Sequence, residues 1–191
     1  MSEFSSLLAT RFARFGVLSD SQLQLLEEHY RLLLRWNAKM NLTRITDLVS
    51  AVELHYCESL FLALHLPPGA LSVADVGSGA GFPGFPLAVG RPDCVVHLIE
   101  SNARKAAFLR ESCAVPNVRV ISKRAEEADR KFDWVVSRAV STGDFMNLKL
   151  SRYFALLGGE ELKATYASAT STMLPWGSGR YLVVGEQILS E

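Results

Sequence analysis

The sequence predicts an α/β fold in which a mostly parallel sheet follows an N-terminal helical extension. After residue 69, short β-like runs alternate with helical segments, which is typical of a parallel sheet covered on both faces. Before residue 69 the apolar residues recur only at helical spacing. The chain has 191 residues, of which 49% are hydrophobic, enough for one packed core. We therefore expect a helical segment at residues 1–68, packed on an α/β core at residues 69–191.

Two clear helices are predicted in the N-terminal segment. Ser19 and Gln22 form a capping-box pattern, and apolar residues at helical spacing follow until about Asn37. A second helix begins near Asp47 and ends before Leu66-Pro67-Pro68-Gly69. Its predicted apolar stripe consists of Val49, Val52, Tyr56, Leu60 and Leu64.

The second part of the chain supplies the strands. The predicted strands are Ser72–Val76, Val95–Ile99, Val118–Ile121, Trp134–Ser137 and a last, edge strand at Arg180–Val184. A helix is predicted over Asn102–Ala114, whereas residues 141–179 show no clear pattern. Parallel sheets of this kind bind ligands at the carboxyl ends of their strands, so we expect the site there.

Composition and charge exclude several classes of protein. Lys and Arg total 20, as do Asp and Glu, so the chain is not a generally basic nucleic-acid binder and any such surface is a local patch. No apolar run approaches the roughly 20 residues of a membrane span. Residues 1–14 carry no secretory signal, which predicts a cytoplasmic protein.

The cysteine and histidine patterns indicate neither a redox-active cysteine pair nor a metal site. The three cysteines, Cys57, Cys94 and Cys113, are far apart and are predicted to be free buried thiols. The four histidines show no metal-ligand spacing, so no metal site is expected. No helix shows an apolar surplus that demands a partner, which favours a monomer.

The most informative segment is the glycine-rich turn after the first strand, Val73 to Gly84. Glycines there allow positive φ angles and let a ligand approach the backbone. Exposed N–H groups and a following helix N-terminus favour an anionic or carboxylate-bearing ligand. Gly79, Gly81 and Gly84 satisfy GxGxxG, and Glu100 follows about 20 residues later, where a carboxylate accepts hydrogen bonds from a ribose. This pattern alone leaves a nicotinamide cofactor and S-adenosylmethionine both open.

Three further features favour S-adenosylmethionine. Asp75 suits the ammonium of a methionine moiety and would repel a pyrophosphate. Ala125-Glu126-Glu127 follows the third strand, where an adenine amino group needs an acceptor. None of the five tyrosines has a lysine four residues later, which argues against a short-chain dehydrogenase.

Several short motifs, in order, carry a family resemblance over residues 19–140. They are Trp36–Thr43, His55 with Glu58-Ser59-Leu60, Asp75–Gly84, Glu100-Ser101 with Lys105 and Phe108-Leu109, Arg124–Glu127, and Ser137–Val140. Together they resemble the RsmG family, also called GidB, the bacterial 16S ribosomal RNA (guanine-N7) methyltransferases. The family usually has aspartate at the position of Glu58 and lysine at the position of Leu157, and the segment from Ala139 to Ala155 is shorter here.

The resemblance implies a Rossmann-like S-adenosylmethionine-dependent methyltransferase that modifies N7 of a guanine in 16S rRNA. Because N7 has a free lone pair and no proton, no catalytic base is expected. The implied cofactor-binding residues are Asp75, Gly77, Gly79, Gly81, Phe82, Glu100, Ser101, Ala125, Glu126 and Arg138. Candidate RNA contacts are Arg138, Lys39 and Arg124.

Within this set, each residue has an expected role. The glycine turn lies under the methionine part, Phe82 packs against the ligand, and Asp75 orients the turn or the ammonium. Glu100 binds the ribose, while Ala125 and Glu126 contact the adenine. Arg138 grips the methionine carboxylate or an RNA phosphate.

The expected partner is 16S rRNA or the small ribosomal subunit, with no membrane association. The altered C-terminal part keeps a second hypothesis open, a catalytically weak or inactive S-adenosylmethionine-binding regulatory protein of the same fold. An NAD-dependent oxidoreductase is the third.

Overall fold

Seven strands form one sheet in the computed structural model, which describes residues 1–128, 130–138 and 148–187. They are β1 (Ser72–Val76), β2 (Val95–Ile99), β3 (Val118–Ile121), β4 (Trp134–Arg138), β5 (Tyr153–Gly159), β6 (Thr170–Met173) and β7 (Arg180–Glu186). The order across the sheet is β3-β2-β1-β4-β5-β7-β6. β1 to β5 pair in parallel, whereas β7 is antiparallel to β5 and to β6. The predicted α/β class and the first four strands are confirmed.

The helices lie at α1 (Glu3–Phe12), α2 (Asp20–Asn37), α3 (Leu48–Ala51), α4 (Glu58–Leu64), α5 (Gly84–Gly90), α6 (Ala103–Ser112) and α7 (Glu160–Thr165). A π-helical turn, Val52–Cys57, joins α3 to α4, and a 3-10 turn spans Ala125–Glu127. The capping box at Ser19 is present, and Asn102 caps α6 through its side chain. The sequence had not predicted α1, whose Phe4, Leu8 and Phe12 are buried.

Alternating residues of the parallel strands face two apolar layers. Val73 and Val136 pack with the N-terminal helices and α5, whereas Ala74 and Val135 pack with the layer around Phe154 on the other face. Strands that are buried on both faces have near-continuous apolar sequences, which explains why β1, β2 and β4 can be predicted from the sequence.

The predicted stripe of the second helix is right at its centre and wrong at its ends. Val52, Tyr56 and Leu60 are buried, but Val49 is 45% exposed and Leu64 is 52% exposed. The π-helical turn contains more than 3.6 residues per turn, so the faces before and after it are out of register with a single α-helical stripe.

The predicted edge position of the last strand is wrong. β7 lies between β5 and β6, so β6 is the edge strand at that side. β6 is four residues long and largely exposed, with the polar sequence Thr170–Met173, and such a strand carries no apolar alternation to detect. The part of the 141–179 region that the structure describes thus holds β5, α7 and β6.

Other predictions concern burial and domain organisation. The three cysteines are free and buried, as predicted. None of the helices in the described ranges has the length and apolarity to cross a membrane. The boundary at residue 68 stays a prediction, and the N-terminal helices share one apolar cluster with the sheet.

Candidate active site

The turn between β1 and α5 has the backbone geometry that its glycines predict. Gly77, Gly79 and Gly81 have φ angles of 68°, 55° and 88°, which residues with a Cβ rarely adopt. At Gly84 a Cβ would lie 2.4 Å from Leu98 Cδ2, so glycine there lets α5 start directly against β2. The turn therefore presents its backbone at the carboxyl edge of the sheet.

Glu100 binds this turn to the end of β2. Its Oε2 accepts a hydrogen bond from Gly79 N at 3.0 Å, and its Oε1 accepts one from Asn102 N at 2.8 Å. The side chain is 7% exposed. Because each carboxylate oxygen has two lone pairs, Glu100 retains acceptor capacity beyond these two bonds.

A groove of about 270 Å³ opens beside this carboxylate, and we call it the glycine groove. Its lining includes Gly77, Glu100, Ser101, Arg124, Ala125 and Glu126. Six predicted site residues thus meet at the carboxyl ends of β1, β2 and β3.

Asp75 lies beneath the turn. Its Oδ2 accepts a hydrogen bond from Gly84 N at 3.0 Å, and its Oδ1 is buried with no hydrogen-bond partner among the described residues. Burial raises the pKa of the Asp75 carboxyl to about 7. Asp75 therefore accepts a hydrogen bond from the end of the turn, and its contact with a ligand ammonium stays a prediction.

Phe82 is part of an aromatic cluster under the turn. It is 3% exposed and stacks on the His55 ring with centroids 4.6 Å apart, while Tyr56 meets it edge-on at 5.1 Å. The Arg138 guanidinium lies 5.3 Å from its centroid. Phe82 thus links the turn to the N-terminal helices, and its expected ligand contact stays a prediction.

A second groove, of about 420 Å³, lies at the carboxyl ends of β4 and β5. We call it the arginine groove, because its lining includes Arg44, Arg138 and Arg180, together with Thr43, His55 and Gly158. Arg138 is therefore on this groove, whereas the other predicted cofactor residues cluster on or beneath the turn and the glycine groove.

Arg138 is held by the π-helical turn. Its Nη1 donates to Leu54 O at 2.8 Å and to His55 Nδ1 at 2.6 Å. Burial lowers the pKa of Arg138 to about 10, so it remains protonated at neutral pH. The π-helical turn thus supplies both a carbonyl and an imidazole to one guanidinium.

Arg180, whose side chain is 28% exposed, makes a two-point ion pair with the buried Glu58 of α4. Nε bonds Oε1, and Nη2 donates to Oε2 at 2.6 Å, with the Glu58 side chain fully buried. This pairing raises the pKa of Arg180. Sequence reasoning missed Arg180 and the pairing of Glu58, although an acidic residue on the buried face of an apolar helix was a signal.

The loop before α3 is held by Asn37. Its Oδ1 accepts from Leu42 N at 2.8 Å and from Thr43 N at 3.0 Å, and its Nδ2 donates to Thr43 O at 3.1 Å. This bonding explains why Asn37 and Thr43 occur together in one motif. Thr43 Oγ1 in turn lies 2.9 Å from His55 Nε2.

The three predicted RNA contacts are not brought together. Arg138 lies on the arginine groove, Arg124 is exposed on the glycine groove, and Lys39 is exposed just after α2. In the described ranges, no group of three or more His, Cys, Asp or Glu side chains is placed to hold a metal ion.

Solved structures share the fold at low sequence identity. A SAM dependent methyltransferase from Aquifex aeolicus aligns with a TM-score of 0.53 and 17% identity, over 71% of this chain and 91% of its own. A ribosomal protein L11 methylase from Lactobacillus delbrueckii subsp. bulgaricus aligns with a TM-score of 0.53 and 13% identity, over 68% and 77%. These likenesses confirm the predicted Rossmann-like fold.

Sequence relatives are much more similar. "Ribosomal RNA small subunit methyltransferase G" of Chromobacterium violaceum is 38% identical over 84% of this chain and 79% of its own length. The protein of the same name from Brevibacillus brevis is 31% identical over 99% and 85%. The family model GidB, described as rRNA small subunit methyltransferase G, matches residues 22–171. The chain therefore belongs to the GidB family.

Proposed function

We propose that this protein transfers a methyl group from S-adenosylmethionine to N7 of a guanine in 16S rRNA. Family membership supports methylation of small-subunit ribosomal RNA, because the relatives are named for it. One structural observation carries the proposal: the Gly79 amide and the Glu100 carboxylate are 3.0 Å apart on the sheet edge that also holds Arg138.

The glycine groove fits an adenosine ligand with a charged amino-acid tail. Glu100 has lone pairs left for ribose hydroxyls, and Ala125 and Glu126, which line the same groove, are proposed to contact the adenine. A Cβ at Gly79 would meet only Gly77 O, at 3.7 Å, so the turn leaves open space for a ligand. When bound, S-adenosylmethionine supplies an electrophilic methyl group.

The arginine groove fits the target nucleotide. Arg138 and Arg180 face it with one buried counter-charge, Glu58, so the groove has a positive surplus for a phosphate. Its ionisable groups are already engaged, because Glu58 is paired and both His55 nitrogens are hydrogen-bonded. Guanine N7 carries no proton, so residues that orient the base suffice and no proton acceptor is needed.

Beyond the two grooves, any RNA-binding surface consists of local basic residues, because the chain as a whole has no net charge. Arg124 on the glycine groove and Lys39 just after α2 are exposed and are proposed to contact RNA phosphates. Arg11 and Arg35 are committed to ion pairs with Glu53 and Glu111. The proposed substrate is the RNA of the small ribosomal subunit, and a cytoplasmic location and a monomeric state remain predictions.

Methyl incorporation into small-subunit particles from an unmethylated strain tests the proposal. We expect 7-methylguanosine in the digested RNA, identified by mass spectrometry of the nucleosides. A methyl group on another atom would contradict the N7 assignment. Cofactor binding without any incorporation would instead favour the inactive regulatory protein.

Replacing Glu100 tests the cofactor part separately. E100A should weaken S-adenosylmethionine binding about 10- to 100-fold, because hydrogen bonds to a charged group are lost. Isothermal titration calorimetry measures the dissociation constant. The control is E127A, which removes an exposed carboxylate on the neighbouring 3-10 turn and should leave that constant unchanged.

A further inference from the structure

Three side chains on the arginine groove form a hydrogen-bond chain with only one possible direction. Arg138 carries donors only, so its Nη1 donates to His55 Nδ1, 2.6 Å away. A ring nitrogen that accepts carries no proton, which places the single proton of the neutral imidazole on Nε2. His55 Nε2 therefore donates to Thr43 Oγ1, 2.9 Å away.

The environment of His55 keeps it neutral. Burial, and then the nearby charge of Arg138, lower the pKa of His55 to about 2. The doubly protonated ring would turn Nδ1 into a donor facing another donor. The ring is therefore neutral at neutral pH, and the direction of the hydrogen-bond chain is the same throughout that range.

The Thr43 hydroxyl has a single hydrogen-bonding capacity left. Its oxygen accepts from His55 Nε2 and also from Ile45 N, 3.1 Å away. A hydroxyl has two lone pairs and one hydrogen, so both lone pairs are used and only the hydrogen remains. No hydrogen bond in the described part of the chain uses it, and Thr43 lines the groove. Thr43 therefore presents a donor and no acceptor.

We propose that Thr43 determines base specificity, by donating its hydroxyl hydrogen to O6 of the target guanine beside the reacting N7. This rests on the proposed function. The edge of guanine that carries N7 shows two acceptors, N7 and O6, whereas adenine shows N7 and an amino donor. A hydroxyl that cannot accept binds O6 and opposes the adenine amino group. His55 is the positioning residue that makes the hydroxyl donor-only.

The support behind Thr43 is rigid. Asn37 bonds the Thr43 backbone at both its N–H and its carbonyl, and His55 stacks on Phe82 beneath the glycine turn. The donor is thus oriented before substrate binds, and its position is coupled to the turn that forms the cofactor site.

The central test compares T43V with T43S on unmethylated small-subunit particles. Valine keeps the shape and removes the hydroxyl, so kcat/KM should fall about 10- to 100-fold, as for a lost hydrogen bond that leaves a polar partner unpaired. T43S should return kcat/KM to within about threefold of the wild type, since it restores the donor. The dissociation constant of S-adenosylmethionine should stay unchanged in both. T46V, which alters the exposed threonine of the same loop, is the matched control.

A second variant reaches the same hydroxyl from the other side. H55F retains a ring against Phe82 but removes the donor to Thr43, so the Thr43 hydroxyl can then accept as well as donate. Its discrimination against adenine should fall to about that of T43V, while kcat/KM on guanine-containing particles falls less than in T43V. If T43V melts below the assay temperature, the discrimination of H55F between guanine- and adenine-containing particles decides the question, and discrimination equal to that of the wild type overturns the inference. Particles with adenine at the methylated position should be poor substrates for the wild type. T43V should discriminate less than the wild type between guanine- and adenine-containing particles.

The outcomes separate the inference from the function on which it rests. If the wild type forms no 7-methylguanosine, the proposed function fails and the inference falls with it. If the wild type forms it and T43V matches the wild type, the inference alone is overturned. Equal losses in T43V and T43S would also overturn it, because they would indicate a packing role.

Discussion

The glycine groove and the arginine groove lie on the same edge of the sheet but are held together differently. In the glycine groove, residues next to three strand ends meet, and backbone amides bind one carboxylate, Glu100. In the arginine groove, side chains far apart in the chain meet: His55 and Arg138 are 83 residues apart, and Glu58 and Arg180 are 122 apart.

This difference has energetic consequences. A backbone-lined groove depends on φ angles and close approach, so glycine substitutions affect it most. A groove that contains an ion pair with a buried carboxylate depends on both charges being present, because a buried charge without its partner is costly. The two grooves should therefore respond to different classes of substitution.

The largest expected effect is in the arginine groove. R180M leaves Glu58 buried without its partner, and the carboxyl then either remains charged in an apolar site or takes up a proton, both at a cost. The free energy of unfolding should fall by about 3–5 kcal/mol, measured by urea denaturation. The double variant E58M/R180M should recover most of this loss, and an equal loss in both would contradict the ion-pair account.

The next largest effect is the pH dependence of stability that comes from Asp75, beneath the glycine groove. The pKa of Asp75 is raised from 3.8 to about 7, so the folded state binds its proton more tightly than the unfolded state. The stabilisation by the bound proton is fully present below pH 3.8 and is lost as the pH rises to about 7. The free energy of unfolding should fall by up to about 4 kcal/mol over this range.

D75N isolates that contribution. Asparagine keeps an acceptor for Gly84 N and does not titrate, so its free energy of unfolding should rise relative to the wild type between pH 5 and pH 8. The buried His29 and His55, whose pKa values are lowered, destabilise the fold at low pH in both proteins and cancel in the difference. A difference that does not change with pH would contradict the shifted pKa of Asp75.

The smallest effects separate two glycines of the turn. G79A should cost about 1–2 kcal/mol for a side chain at positive φ, because its Cβ enters open space. G81A should cost more, since its Cβ would also lie 3.0 Å from His29 Nε2 and 3.3 Å from Cys113 Sγ. Thermal unfolding measures both, and equal melting temperatures would show that packing at Gly81 does not matter.

Much of the fold was predictable because it follows local rules. The capping box at Ser19 fixed the start of α2, and apolar runs identified β1, β2, β3 and β4 nearly to the residue. The failures occurred where the pattern is weak or interrupted. The edge strand β6 is short and polar, and the π-helical turn changes the helical period at Val52–Cys57.

The sequence by itself determined the glycine groove. Its glycines and Glu100 each directly follow a strand, and parallel strands bring their carboxyl ends to one edge, so proximity followed from order along the chain. Only the tertiary structure decided the arginine groove. His55 and Glu58 are three residues apart on one helical segment, but no period or spacing relates them to Thr43, Arg138 or Arg180. These partnerships arise from packing the N-terminal helices against β4 and β7.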